Sequence, residues 1–375
     1  MKFTIEKDTL IKLLSNVCDV ASKKNPNNPA ILQNIKIETK GDRVYFTGTD
    51  SDTYVKDDCK AFVDGDWATT VPAQLMYDIV KKMNDGAEIV CEYSSDGNTL
   101  NISSGRSKFK LMCLDADGYP NFEEHQMQVE FNIKANDLVN IIDKTRFSIS
   151  DDPSRYYLNG LFLQTIDDDG LKLNAVSTDG HKLSIITLGY YDGTGEVSGI
   201  IIPKKALPEI KKIAVKSGNA DLKVSASKTK IRIETEDTII ISKLIDAEFP
   251  DYKRVIPKDN DKVLKVNKKD ISTIIDRIST VANDNHKGIK LVLTENNLYL
   301  ESSSAENGSG SEEIKVDFDY KDKIEIGFNS RFILEMISQI ESDMVEIKLK
   351  DGNSAIIIKG SEESNNTFVL MPIRI

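Results

Sequence analysis

The sequence predicts an α+β protein of three similar domains, each with two helices packed on antiparallel sheets. Three observations carry this. Short segments alternate apolar and polar residues throughout, as in Phe3-Thr-Ile-Glu6 and Phe131-Asn-Ile-Lys134. Only six runs have the three- and four-residue apolar spacing of a helix face. The order of these elements also recurs three times, starting at Phe3, Phe131 and Leu264. A chain of 375 residues suits more than one core. A period of about 120–130 residues is too long for a solenoid, so whole domains are repeated. They are expected at 1–124, 129–252 and 260–375.

In the first repeat an alternating strand leads to Asp8, a candidate N-cap for the run Leu10, Leu13, Leu14, Val17 and Cys18. The loop Lys23-Lys24-Asn-Pro-Asn-Asn-Pro29 is basic and proline-broken. Strands are expected at 31–39, 44–49 and 54–63, followed by a helix from Val71-Pro72 to Met83. Strands return at 88–93, 100–103 and 108–113, before Tyr119-Pro120 closes the unit. The second repeat places a helix over 136–147, strands at 158–165 and 171–177, a helix opening near Pro203, and further strands ending at Phe249-Pro250. In the third, 264–267 leads to a helix from Asp270, strands lie at 289–293 and 298–302, and a helix runs over 329–340. Its last strands are expected at 345–349, 355–359 and 367–371, while the Ser-, Glu- and Gly-rich segment 302–313 suggests a solvated loop.

No apolar run approaches the roughly 20 residues of a membrane helix, and Met1-Lys-Phe-Thr-Ile-Glu6 lacks a secretory apolar core. Cys18, Cys59, Cys91 and Cys113 are widely spaced and fit reduced, buried thiols better than a metal or redox site. A cytoplasmic protein without cofactor or metal is expected. Gly193-Thr-Gly-Glu-Val-Ser-Gly199 lacks the Lys and Ser/Thr of a phosphate loop and suggests a hairpin turn. Asp167-Asp-Asp169 before Gly170 suggests a tight turn rather than a metal site. Asp179 beside His181 is the one candidate for an acid–base pair, giving the alternative of an α+β enzyme.

The net charge of −11 argues against nucleic acid until its distribution is considered. The six helical windows (7–24, 73–83, 134–147, 204–217, 268–282 and 329–341) hold 18 Lys and Arg against 10 Asp and Glu. The rest holds 31 against 50. Helices gathered on one concave side would present a basic surface to phosphate backbone, without reading sequence.

Four motifs then stand out together: Arg155-Tyr-Tyr-Leu-Asn-Gly160, Ser177-Thr-Asp-Gly-His-Lys-Leu183, Phe249-Pro-Asp-Tyr-Lys-Arg-Val255 and Val369-Leu-Met-Pro-Ile-Arg-Ile375. With Ser-Gly-Arg106-Ser and Tyr119-Pro-Asn, they give the whole chain a resemblance to the bacterial DNA polymerase III beta subunits, the sliding clamps. The resemblance implies a non-catalytic processivity factor of the DNA clamp fold. Two protomers would close head to tail into a ring around duplex DNA. It implies a homodimer interface using Phe109 and Leu111 on one side and Ile278 and Val281 on the other.

The helix-borne cations Lys12, Lys23, Lys24, Lys81, Lys82, Lys144, Arg146, Lys204, Lys205, Lys211, Lys212, Lys268 and Arg277 are expected to face the DNA. A cleft between the second and third domains would take short peptides of the polymerase catalytic subunit, the clamp loader and other proteins carrying a clamp-binding motif. Carried over by motif, its residues are Arg155, Tyr157, Leu158, Thr178, Gly180, His181, Leu183, Pro250, Arg254, Val255, Asn329, Val369, Met371, Pro372, Ile373 and Arg374. Two positions depart from the family pattern: Lys182 stands where arginine is frequent, and Asn353 where an aliphatic side chain is expected.

Overall fold

Four antiparallel sheets and six helices make up the computed structural model, which describes all residues except 22–28, 97, 122–126, 283–286, 364 and 375. The helices are α1 (Lys7–Cys18), α2 (Ala73–Lys81), α3 (Ala135–Arg146), α4 (Leu207–Ser217), α5 (Lys268–Ser279) and α6 (Ser330–Ser338). All six fall in the windows that the periodicity marks. The chain forms two compact units. One comprises 1–139, 192–196 and 205–244, and the other 140–191, 197–204 and 245–375.

In the first unit, Ser107–Met112 lies at one edge of a five-stranded sheet whose other edge is Phe62–Asp64. The nine-stranded sheet contains strands of two repeats, because Thr238–Lys243 pairs with Thr53–Lys60 in the register Ile240↔Val55. α1 packs on α2 and over the strands Arg43–Thr49 and Thr53–Lys60. Gly48 permits this approach, since a Cβ there would lie 2.0 Å from the Val17 carbonyl oxygen. Buried Phe3 meets Phe46 edge-on at 6.2 Å and stacks on Trp67 at 5.9 Å. Each such side chain contributes about 1.5–3 kcal/mol by leaving water.

The second unit repeats the scheme. Its eight-stranded sheet joins two repeats where Lys182–Leu188 pairs with Asn366–Leu370. The four-stranded sheet runs Gly308–Lys315, Asn297–Ser304, Gly288–Thr294, Ile324–Asn329. α5 packs on α6, and both helices have asparagine caps. Asn267 accepts from the amides of Lys269 and Asp270, and Asn329 from those of Arg331 and Phe332.

Several sequence expectations are corrected. Residues 302–313 are not a loop but most of a hairpin, Asn297–Ser304 with Gly308–Lys315. Serine and glycine are tolerated there because Gly308–Lys315 is an edge strand, largely solvated. Asp8 lies inside the first turn of α1, where its charge suits the helix dipole, and the cap position is Glu6. Pro203 ends the strand Ile200–Pro203, so it is Pro208 that occupies the first turn of α4. Residues 30–33 and 153–158 form 3-10 turns ahead of their strands. In the 193–199 stretch, Asp192–Thr194 pairs with 130–132. Asp169 and Gly170, both at positive φ, do make the expected tight turn.

Where repeat two meets repeat one in the first unit, polar groups supplement the sheet. Lys216 Nζ donates to Asn16 Oδ1, and the Asn16 amide donates to Asp57. Lys205 pairs with Asp50 at 2.6 Å. Lys212 pairs with Asp19 and also donates to the Ser15 carbonyl. Burial pushes the Asp57 carboxyl up to about 6, against the opposing effect of Asn16, and it lowers the pKa of Lys216. An acid whose folded pKa lies above its unfolded value contributes stability below the unfolded pKa, and that contribution fades as pH rises through the folded pKa. Asp57→Asn should therefore gain stability relative to the wild type as pH climbs from about 4 to 6. The gap should level off above that at no more than about 3 kcal/mol. A pH series of urea midpoints checks this, and a pH-independent gap would contradict it.

Candidate peptide cleft and nucleic-acid surface

An apolar floor lies in the second unit, formed by Leu158, Val176, Leu183, Ile185, Ile201, Phe249, Tyr252 and Val369, with Tyr157 packed against it. The strand pairing brings these distant positions together: Leu183 lies opposite Val369, and Val176 opposite Ile185. Phe162 stacks on Phe249 with ring centroids 4.6 Å apart. The Tyr252 hydroxyl accepts from the side-chain amides of Gln164 at 2.7 Å and Asn174 at 2.8 Å, which anchors the loop carrying Pro250, Arg254 and Val255.

The Thr178–Lys182 hairpin stands beside this floor. Asp179 Oδ1 accepts from the backbone amides of His181 at 2.8 Å and Lys182 at 2.9 Å, and Thr178 Oγ1 donates to the Lys182 carbonyl at 2.8 Å. Gly180 has φ +91°, a conformation that disfavours any other residue. Arg155 spans Asp152 and the Asp179 carbonyl at 3.0 and 2.9 Å. The C-terminal segment extends the ladder, with the Met371 amide donating to the His181 carbonyl at 2.9 Å. Met371 and Val255 are exposed at 44% and 53%, leaving apolar surface above a buried floor.

Of the motif-derived residues, Leu158, Leu183 and Val369 form the floor, and Tyr157 packs on it. Thr178, Gly180 and His181 belong to the hairpin, Arg155 reaches it from the 3-10 turn 153–158, Met371 bonds to it, and Pro250, Arg254 and Val255 lie in the exposed loop. Asn329, Pro372, Ile373 and Arg374 are placed differently. Asn329 caps α6, and the chain beyond Pro372 turns to the four-stranded sheet, where the Ile373 amide donates to the Gly327 carbonyl at 2.8 Å. Ile373 and Arg374 there line a separate hollow with Gly288, Lys290 and Ser302. The sequence reading missed Val176, Ile185, Ile201, Phe249 and Tyr252, although Phe249 and Tyr252 lie within a quoted motif. Asn353 is exposed in a turn on Asp351.

The acid–base alternative fails on geometry. Asp179 holds the turn through backbone amides, and its other oxygen lies 4.0 Å from Lys182 Nζ. Among the described residues, no group of three His, Cys, Asp or Glu side chains could hold a metal, and no helix is long and apolar enough to cross a membrane.

The proposed DNA-facing cations divide by partner. Lys144 is corrected: it is buried and paired with Glu341 at 2.7 Å and Glu363 at 3.8 Å, so it has no surface to offer. Lys204 pairs with Asp151 at 2.7 Å and Arg277 with Glu312 at 3.0 Å, while Lys268 donates to the Ile340 carbonyl. Lys205 and Lys212 are paired as described above, and Lys211 is half-buried. Lys12, Lys81, Lys82 and Arg146 are exposed. Lys23 and Lys24 lie outside the described residues. For the proposed interface, Phe109 is exposed on the edge strand and Val281 packs near Gly310, but Leu111 and Ile278 face inward at 2% and 5% exposure. Those two are corrected to core residues: Leu111 lies opposite the fully buried Leu100 on the neighbouring strand, and the α5 spacing turns Ile278 onto the core.

Comparison with known proteins covers the whole chain. The DNA polymerase III beta subunit models match as an N-terminal domain at 1–123, a central domain at 132–251 and a C-terminal domain at 253–374. A beta sliding clamp of Caulobacter vibrioides is 36% identical over 377 residues, and one of Escherichia coli K12 31% over 376, each across 100% of both chains. A sliding clamp of Bartonella birtlesii, solved bound to griselimycin, superposes with a TM-score of 0.95 at 35% identity, again across 100% of both chains.

Ion-paired and exposed lysines should respond differently to charge reversal. Lys212→Glu, which places a carboxylate beside Asp19, should lower the unfolding midpoint. Lys82→Glu, at the exposed end of α2, should leave stability within about 0.5 kcal/mol. Thermal unfolding at two salt concentrations checks both. Equal losses would mean that the Lys212 pairing does not support the fold.

Proposed function

Because this chain belongs to the DNA polymerase III beta subunit family, the non-catalytic sliding clamps that confer processivity on the replicative polymerase, we propose that two copies close head to tail into a ring on duplex DNA. The domains would follow the three repeats, 1–124, 129–252 and 260–375. The observation that carries the ring is a pair of sheet edges. Among the described residues, Ser107–Met112 and Gly308–Lys315 each pair on one side only. An open edge is a template for another strand. Joining the first edge of one copy to the second edge of its partner is heterologous, and it closes into a twofold ring when both contacts form. Phe109, exposed on the first edge, and Val281, beside the second, would supply apolar contact across this seam.

Enclosure suits a chain of net charge −11. Release then requires the ring to open, so contacts from Lys12, Lys81, Lys82 and Arg146 can be weak and independent of sequence. Polymerase and clamp-loader peptides would bind as extended segments beside the Thr178–Lys182 hairpin, setting apolar anchors over Leu158, Leu183 and Val369.

Phe109→Asp should convert a two-copy assembly to monomer by sedimentation and abolish retention on nicked circular duplex. The wild type should be held on the circle and lost when it is linearised. Equal retention on both forms would refute enclosure. Deleting residues 371–375 should remove binding of a polymerase C-terminal peptide by at least about tenfold while leaving the solution mass of the dimer. Unchanged affinity would place the peptide elsewhere.

A further inference from the structure

In the second unit, the C-terminal end of α3, α6 and the Thr178–Lys182 hairpin line an open hollow of about 510 Å³. Arg146, Lys182, Lys204 and Arg331 line it together with Asp143, Asp151, Asp179 and Glu335, and Lys204 is held by Asp151. Glu335 is shared between two cations. One oxygen accepts from Arg331 Nε at 3.0 Å, and the other from Lys182 Nζ at 2.6 Å. The two cations differ in exposure: the Arg331 side chain is 76% exposed and that of Lys182 only 6%. The Lys182 ammonium lies 4.3 Å from the Phe332 ring centroid and 5.4 Å from that of Phe147.

Lys182 is also the last residue of the cleft hairpin. Its carbonyl accepts from Thr178 Oγ1 and from the Asp179 amide, and its own amide donates to Asp179. The residues beside it, His181 and Leu183, meet Met371 and Val369 of the C-terminal strand. A change in how firmly Glu335 holds Lys182 therefore acts on the base of the hairpin that lines the cleft.

We infer that Glu335 is a positioning residue that couples a DNA phosphate held at the Arg331 face of α6 to peptide binding in the cleft, acting through Lys182. The coupling rests on the duplex and peptide readings above. Arg331 has two carriers of negative charge to choose between, Glu335 and a phosphate passing the rim, where Arg146 is also exposed. When Arg331 turns to a phosphate, Glu335 loses one cation and its charge falls wholly on Lys182. The ammonium is then held more tightly against Phe147 and Phe332, and the hairpin is more ordered before a peptide arrives. Less ordering is left for the peptide to impose, so it binds more tightly. Reciprocity requires that an occupied cleft strengthen the phosphate contact by the same factor.

The experiment measures affinity for a fluorescein-labelled peptide copied from the C-terminal segment of the cognate polymerase, with and without a saturating short duplex at low salt. Wild type should bind about fivefold more tightly with duplex present. Arg331→Gln should be insensitive to duplex and already near the tighter value, and Glu335→Gln insensitive and near the weaker one. A second readout needs no peptide. The chain has three histidines, and the His181 ring resonance should shift on adding duplex in wild type but not in Arg331→Gln. No duplex response in wild type, or the wild-type response persisting in Glu335→Gln or Arg331→Gln, overturns the coupling. Absence of peptide binding in every variant overturns the cleft reading and with it the coupling to peptide, whereas a His181 response present in wild type and lost in Arg331→Gln supports the link from Arg331 to the hairpin.

Discussion

Pairing between strands of different repeats is the constraint on which the other features depend. A repeat folded alone would leave a sheet edge open at Thr53–Lys60 or Lys182–Leu188. Each is instead closed by a strand from the neighbouring repeat, Thr238–Lys243 or Asn366–Leu370. Because side chains alternate, the register decides which of them face inward. With Leu183 opposite Val369, both lie on the apolar floor, and the next pair sets buried Ser184 opposite Phe368. Ser184 then meets the Ser148 hydroxyl at 2.7 Å. A slip of one residue would bury polar groups where the cleft has its floor, so the register that completes the sheet also makes the cleft.

Charge reinforces the same places. In the first unit Lys205, Lys212 and Lys216 reach the turn at Asp50 and the end of α1. In the second, Lys144 reaches Glu341 and Glu363, and Lys182 reaches Glu335. Lys144 and Lys182 are buried, and buried lysines are strongly held only where the geometry is good and both partners remain.

Much of this was legible in the chain. Threefold recurrence, six helices and the motifs around Arg155, Thr178 and Phe249 could be read directly, because they depend on local spacing or contiguous residues. The edge strand Gly308–Lys315 could not, since its solvent-facing pattern and glycines resemble a loop. Nor could the partners of the lysines. Lys144 and Glu341 are 197 residues apart, and a helix face rich in lysine looks the same whether it meets solvent, phosphate or another repeat's carboxylates. Nor does the motif show the path of the chain at Ile373 and Arg374: it runs unbroken through them, but the chain leaves the ladder after Met371 and bonds to Gly327.

The distinction between paired and exposed cations bears on how a clamp could hold DNA at all. Counterion release is gained fully only by a cation that has no carboxylate to lose first. Lys12, Lys82 and Arg146 are exposed, whereas Lys204, Lys205 and Arg277 must exchange one partner for another, and the two charge interactions largely cancel. A duplex threaded through such a surface would thus be held by fewer effective contacts than the lysine count suggests. Weak, exchangeable contacts are what a ring requires if it is to slide, provided that closure and not adhesion prevents escape. The same lysines can therefore build the joints without making the surface too sticky, and the two roles assigned to them are compatible rather than competing.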